Sequence, residues 1–297
     1  MGLLNWSDKR KARAAREAAR RESASDKDDK EIFGDSEIAL SGLDNVDLSE
    51  DFNQPLVRGR TADGRVLMFG KFSEKNIREL MDWAGVFRAV EEKGYKKYHL
   101  DLQYLSEQDQ RIFLYSGDEV LIHIRLKLSF FRFRFHSGVP QKKLLYIDWL
   151  MTRHPDSDVI RDDRLFPGQD VPGLGVFSQI SEFITSIALG VGAQGAFNIP
   201  EYFHDALLFH RRFNFYDPVR EAHFRALIRD LRRYGAREIS KALADGRILN
   251  EAGESVRWTP GEMITALDEE LEEMIWNRDY FTRVVRELKR IRYRMRE

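Results

Sequence analysis

The chain has 297 residues, of which 42% are hydrophobic and 33% charged, and its formal net charge is −1. This near-neutral balance gives no general reason to expect a nucleic-acid-binding protein. The lack of cysteine excludes disulfides and thiolate metal sites. No apolar run approaches the ~20 residues of a membrane-spanning helix, and a cytoplasmic location is therefore expected.

Residues 1–52 are predicted to form a flexible, charged, disordered tail. A basic stretch that follows Ser7 precedes an acidic and polar segment from Ser23 to Asp51, which has few aromatic side chains. Such a composition cannot bury enough apolar surface to offset the entropy of ordering. The favoured interpretation is a solvated tail, and contact of the basic stretch with an anionic membrane or RNA is the alternative.

The folded part is expected from about residue 53, beginning with a hairpin that turns at Asp63 and Gly64. Ser73 is predicted to cap a helix that continues to Lys93 and stops at Gly94. A shorter helix is expected after Ser106.

Two strand patterns follow. Residues 119–136 alternate apolar and polar side chains, and the phase of the alternation changes at Phe130 and Phe131. That change predicts a bulge or a corner between two strands. Residues 144–152 are apolar on both faces except for Asp148. They therefore predict a central strand, flanked by strands from 119–136 and 195–199.

The stretch RLFPGQDVPGLGVF, residues 164–177, holds three glycines and two prolines, and a helical pattern from Val176 to Leu189 follows it. The first N–H groups of a helix lack partners and lie at the positive end of its dipole. Glycines let the backbone approach a phosphate closely. The loop therefore predicts either a structural turn or a pyrophosphate site.

A short strand at 195–199, a helix at 202–212 and a short strand at 213–216 are expected next. Beyond Pro218 the pattern is mainly helical, with a hairpin near 247–258. This order resembles the GNAT superfamily of acyl-CoA N-acyltransferases. Gly173 and Gly175 match the glycines of the family's pyrophosphate-binding loop. The stretch ALLFHRRFNF, residues 206–215, resembles the family's A-x-x-x-Y-x-x-x-G-F block.

The resemblance implies an α+β fold with a mixed, mainly antiparallel sheet flanked by helices in residues 53–218. A helical C-terminal extension, residues 219–297, would follow. The implied co-substrate is acetyl-CoA or another acyl-CoA, and no metal is expected. The residues that would bind it are Gln169, Gly173, Leu174, Gly175 and Val176.

The resemblance also suggests two catalytic residues. Asp148 would take the proton of an incoming amine, because burial would make it a better base, and His210 would protonate the leaving thiolate. Each residue also has a structural interpretation. For Asp148 it is a carboxylate bonded to an arginine or to the backbone. For His210 the alternative is a helix histidine that packs against Phe213 or Phe215.

The leading function is acyl transfer to an amine of a small molecule or a protein. Three departures from the family pattern favour a non-catalytic binding or regulatory module of the same fold. Asp170 stands at the Gln/Arg position of the loop, Pro172 removes an N–H donor, and His210 replaces a tyrosine.

Two further hypotheses concern other parts of the chain. His204 and Asp205 also fit a metal-dependent phosphohydrolase of the HD type, which would need further ligands on an all-helical fold. The apolar stripe of the C-terminal helix, residues 280–297, would pack on the fold, form a homodimer or lie on a membrane surface.

Overall fold

The computed structural model describes residues 67–131, 141–157 and 165–296. The predicted tail, the turn at Asp63 and Gly64 and the last part of the 119–136 pattern lie outside these ranges. Within them the chain is α+β, with a seven-stranded, mainly antiparallel sheet, flanking helices and a second sheet of three short strands.

The helices, numbered in chain order, are α1 Glu74–Trp83, α2 Val86–Glu92, α3 Phe177–Gly190, α4 Phe203–Phe209, α5 Pro218–Leu231, α6 Gly235–Ala244, α7 Glu269–Ile275 and α8 Arg278–Arg290. The strands are β1 His99–Tyr104, β2 Asp109–Ser116, β3 Glu119–Phe131, β4 Lys142–Thr152, β5 Gly195–Asn198, β6 Asn214–Phe215, β7 Ile248–Leu249, β8 Ser255–Val256, β9 Met263–Ala266 and β10 Arg294–Met295.

The large sheet has the order β1-β2-β3-β4-β5-β9-β6. Strands β4 and β5 run parallel, and every other neighbouring pair is antiparallel. The small sheet has the order β10-β7-β8. The prediction that residues 144–152 form a central strand between the 119–136 and 195–199 strands is confirmed.

The alternation in β3 buries Ile122, Ile124 and Leu126 on one face and leaves the side chains between them half-buried on the other. The strand stays in continuous register through Phe130 and Phe131, so no bulge lies where the phase of the pattern changes. The apolar residues at that point reflect the end of the strand. The bulge lies in β4 instead, opposite the step from Arg125 to Leu126.

The helical predictions before β1 need two corrections. Ser73 caps α1 as expected, but Gly85, with φ +78°, divides the predicted helix into α1 and α2. No helix follows Ser106, because its hydroxyl accepts the N–H groups of Gln108 and Asp109 and so stabilises the turn between β1 and β2.

The chain beyond Pro218 is mainly helical, and the expected hairpin is the pair β7 and β8. The same region also supplies β9, which lies between β5 and β6 in the large sheet. The C-terminal helix ends at Arg290 rather than near Met295, which pairs with β7. Tyr280 and Val284 pack this helix against Ala222 of α5, so the packing interpretation describes its buried face.

Candidate functional site

The parallel ladder between β4 and β5 covers only the first part of β4. Leu144 to Tyr146 pair with Gly195 to Phe197, whereas residues 147–152 of β4 form no ladder with β5 in the described chain. Asp148 is the additional residue of the β4 bulge, and a bulge increases the local bend and twist of a strand. We call the stretch 147–152 of β4, which has no β5 partner among the described residues, the β4–β5 gap.

Asn198 lies where the strands separate. Its side chain is 2% exposed, and neither its amide oxygen nor its amide nitrogen hydrogen-bonds to any described residue. A buried amide without partners costs about 1–3 kcal/mol per unsatisfied group, so natural proteins rarely retain one without a ligand or water to satisfy it. The sequence signal for Asn198 was a polar residue at the end of an apolar strand, and sequence reasoning missed it.

The glycine loop lies beside the end of β4. The N–H of His154 donates to the carbonyl oxygen of Pro172 at 2.8 Å, and the N–H of Leu174 donates to Thr152 Oγ1 at 3.2 Å. Gly175 has φ +75°, which glycine adopts without strain. Helix α3 begins two residues later, and no side chain caps its first turn. The loop thus brings a helix N-terminus to the carboxyl end of β4, next to the gap.

The five residues predicted to bind the co-substrate differ in their environments. Gly173 and Val176 are buried and Gly175 is exposed. The N–H of Leu174 already donates to Thr152, so it is not available to a phosphate as predicted. Gln169 folds back on its own turn, where its side-chain oxygen accepts the N–H of Phe166 at 3.1 Å.

Asp170, the acidic residue that departs from the family pattern, forms an ion pair with Arg153. Asp170 Oδ2 lies 3.0 Å from Arg153 Nη2, and Arg153 directly follows β4. Because this arginine offsets the negative charge, Asp170 repels an anion at the loop less than its sequence position suggests.

Asp148 is held by two cations. Its Oδ2 atom lies 3.0 Å from Arg125 Nε and 3.1 Å from Lys127 Nζ, and the side chain is 11% exposed. Burial, and then the neighbouring Asp148 carboxylate, raises the pKa of Tyr146. The structural interpretation of Asp148 as a carboxylate bonded to arginine therefore describes the observed contacts.

The sheet face beside Asp148 carries aromatic rings that sequence reasoning did not connect. The ring of His123 stacks on Phe113 at 4.1 Å and lies 6.0 Å from Trp149. Burial, and then the charges of Arg111 and Arg125, lowers the pKa of His123 to about 4, so it is neutral at pH 7. His123 Nε2 and Trp149 Nε1 are buried and make no hydrogen bond in the part of the chain that the structure describes.

His210 ends α4 and pairs with a glutamate that sequence reasoning missed. Its Nε2 atom lies 2.8 Å from Glu221 Oε1, which also accepts Arg225 Nε at 2.6 Å. The N–H of Phe215 donates to the other Glu221 oxygen at 2.9 Å. Burial opposes ionisation of Glu221, but His210 and these donors outweigh it and lower its pKa to about 2. The ring of His210 also packs against Phe224 at 4.7 Å.

His204 and Asp205 do not form a metal site. His204 Nδ1 hydrogen-bonds to Ser240 Oγ at 2.7 Å, and its Nε2 atom lies 3.5 Å from Asp205 Oδ1. Burial lowers the pKa of His204 to about 3 and raises that of Asp205 well above its ordinary value. His204 is therefore neutral at pH 7, and both side chains are buried. Within residues 67–131, 141–157 and 165–296, no cluster of three metal-ligating side chains occurs.

The structure thus brings the glycine loop, Asp148 and Asn198 to one end of β4, whereas no hydrogen bond or ion pair joins Asp148 to His210 among the described residues. A scan against protein-family models gave no match, and no curated protein is similar to the chain. None of the helices in the described ranges is both long and apolar enough to cross a membrane.

Proposed function

We propose that this chain is a cytoplasmic acyl-CoA-dependent N-acyltransferase of the GNAT fold. The observation that carries the proposal is the end of the β4–β5 ladder, with the unsatisfied Asn198 amide at the last residue of β5 and the glycine loop beside the end of β4. The mixed, mainly antiparallel sheet with flanking helices adds support, since the resemblance implies that architecture, although the region after Pro218 supplies no long closing hairpin of the family's kind in the described chain.

The chemistry of coenzyme A fits this gap. Its pantetheine arm is an extended chain with two amides, and residues 147–152 of β4 present an unpaired strand edge to it. Backbone pairing of this kind adds an extended ligand to a sheet. Asn198 would satisfy its buried amide on the same arm. The first turn of α3, after Gly175, would face the pyrophosphate.

Acyl transfer joins the amine nitrogen to the thioester carbonyl carbon and breaks the carbon–sulfur bond, while one proton leaves the amine and another reaches the sulfur. At the β4 bulge, a backbone N–H near Asp148 would polarise the thioester carbonyl. Asp148 would accept the amine proton through water. The rings of Phe113, His123 and Trp149 line the face from which an acceptor would approach.

His210 would supply the proton to the thiolate. Glu221 holds His210 Nε2, which orients the ring. The side chain of His210 is 23% exposed, so its other ring nitrogen can reach solvent or substrate.

A non-catalytic binding module of the same fold is the second candidate. The ion pairs of Asp148 with Arg125 and Lys127 favour it, because they give the proposed base a structural role already. This candidate retains the gap and the loop but not the proton transfers, so only turnover distinguishes the two functions.

The first test is calorimetric titration of the full chain with acetyl-CoA. Gly175→Asn adds an exposed side chain at the loop, and asparagine tolerates positive φ better than other residues. We expect it to weaken acetyl-CoA binding by about tenfold or more, a loss of at least ~1.4 kcal/mol. Gly192→Asn is the matched control, since Gly192 has φ +70° at the other end of α3 and nothing within 4 Å.

Asn198→Leu tests the gap itself. Leucine has a similar volume and removes two unsatisfied buried groups, so the unfolding free energy should stay constant or rise while acetyl-CoA binding is lost. A large loss of stability would show that Asn198 has a structural role. Release of free thiol from acetyl-CoA in the presence of an amine panel then separates the enzyme from the binding module.

A further inference from the structure

A second site, unrelated to the β4–β5 gap, lies between α5, the β7–β8 hairpin and the end of α8. It is a cleft of about 670 Å³. Small-molecule sites in proteins typically have volumes of ~300–1,000 Å³. The floor contains the buried rings of Phe215, Phe224 and Tyr293, and the half-buried Trp258 forms one wall.

The rim of this cleft is basic. Four arginines line it, whereas Asp217 and Glu251 are the acidic residues among the lining. The carboxylate of Asp217 caps α5 by accepting the N–H of Val219 at 2.8 Å. The four arginines are Arg220, Arg257, Arg290 and Arg292.

Three of these guanidinium groups are held by neutral carbonyl groups rather than by carboxylates. Arg220 Nη1 donates to the carbonyls of Thr259 and Pro260, and Arg257 Nη1 donates to the carbonyl of Ala244 at 2.6 Å. Arg292 Nη1 donates to the last carbonyls of α8, including that of Ile291 at 2.7 Å. The Nε and Nη2 atoms of the three make no hydrogen bond to the residues that the structure describes.

The fourth rim arginine, Arg290, has its Nη1 atom 4.0 Å from Glu287 Oε1, and six arginines elsewhere in the fold lie closer to carboxylates. Arg125, Arg153, Arg212, Arg225, Arg229 and Arg247 each lie within 3.3 Å of a carboxylate. A carbonyl fixes a guanidinium without cancelling its charge, so the cleft keeps its positive potential with its donors already ordered. Ordered guanidinium groups bind phosphate oxygens in pairs and lose little entropy in doing so.

We infer that this cleft binds a small phosphorylated ligand that carries a flat ring, of the size of a nucleoside diphosphate. The phosphates contact the arginine rim, and the ring packs against Trp258 and the aromatic floor. The inference does not depend on the proposed acyltransferase activity, because none of the residues at the β4–β5 gap lines the cleft.

The test is calorimetric titration of the full chain with ADP, adenosine and inorganic pyrophosphate. The variant Arg257→Gln/Arg290→Gln removes two exposed rim charges, together with the bond of Arg257 to the Ala244 carbonyl, and leaves Arg220 and Arg292 in place. We expect ADP to bind more tightly than either of its parts, with an affinity that falls as salt is added. The double variant should weaken ADP binding roughly tenfold or more.

The control is Arg88→Gln/Arg283→Gln, which removes the same charge from two exposed arginines outside the cleft. The inference would be overturned if the control lost as much ADP affinity as the double variant. It would also be overturned if pyrophosphate bound as tightly as ADP, or if ADP did not bind. Acetyl-CoA contains an adenosine diphosphate portion, so the variants also separate the two sites. Acetyl-CoA binding that depends on Arg257 and Arg290 but not on Gly175 would contradict the acyltransferase proposal and support the cleft.

Discussion

Glu221 joins three elements through one carboxylate. It accepts hydrogen bonds from His210 at the end of α4, Phe215 in β6 and Arg225 in α5. Because the side chain is fully buried, each partner also compensates the cost of removing the charge from water. The sequence shows Glu221 only as one acidic residue in the first turn of α5, since its partners come from separate segments.

Glu221→Gln should reveal this role through the pH dependence of stability. The pKa of Glu221 is about 2 in the folded protein against an ordinary value of 4.5, so the carboxylate stabilises the fold above pH 4.5. That contribution is lost as the pH falls from 4.5 to 2 and amounts to about 3 kcal/mol. Denaturant titrations at several pH values should show the difference in unfolding free energy between wild type and variant decreasing as the pH falls from 4.5 to 2. A stability difference that does not change with pH would contradict this role of the Glu221 carboxylate.

Gly168, which precedes Gly173 and Gly175 in the glycine loop, is required by the packing of the loop. It has φ +83°, and a Cβ atom there would lie 2.7 Å from the hydroxyl oxygen of Tyr202. Part of the glycine content that suggested anion binding is thus explained by packing against the start of α4. Sequence could not separate these two uses of glycine.

At the scale of elements, β5 is a short strand that is enclosed on both sides. It is four residues long, it is buried throughout, and it pairs with β4 on one side and β9 on the other. The carbonyl oxygen of Thr265 in β9 would lie 2.8 Å from a Cβ atom at Gly195. Backbone contact this close cannot be relieved by a change of rotamer.

Gly195→Ala should therefore push β5 away from β9 and cost about 3 kcal/mol of stability, as overpacked cores do. Gly94→Ala is the control, because Gly94 has φ +99° with nothing within 4 Å and should cost only about 1 kcal/mol through backbone strain. Urea titrations compare the two variants. Equal losses would mean that the β5–β9 contact is not tight.

At the scale of the whole molecule, the helical C-terminal region completes the central sheet. Ile264 of β9 and Leu271 and Ile275 of α7 pack with Leu144, Tyr146 and Phe197 in one buried cluster. The region after residue 218 therefore supplies part of the core that covers β4 and β5.

A chain truncated after Pro260 should lose cooperative unfolding, because it lacks β9, α7 and α8. A chain that lacks residues 1–52 should melt within a few degrees of the full protein, as the composition of that segment predicts. Calorimetric melting of both proteins tests this contrast. A cooperative transition in the truncated chain would show that the first 260 residues fold alone.

The sequence by itself determined the α+β class, the central strand β4, helix α3 and the glycine loop between them. Those features depend on local periodicity and on glycine and proline, which act within a few residues. Only the tertiary structure decided that the β4–β5 ladder ends at Tyr146, that Asn198 has no partner among the described residues and that β9 lies beside β5. It also decided that Glu221 holds His210 and that three of the four arginines of the cleft are held by backbone carbonyls. These depend on which distant segments meet, and the pairing of distant backbone and side-chain groups leaves no periodic signal in a single sequence.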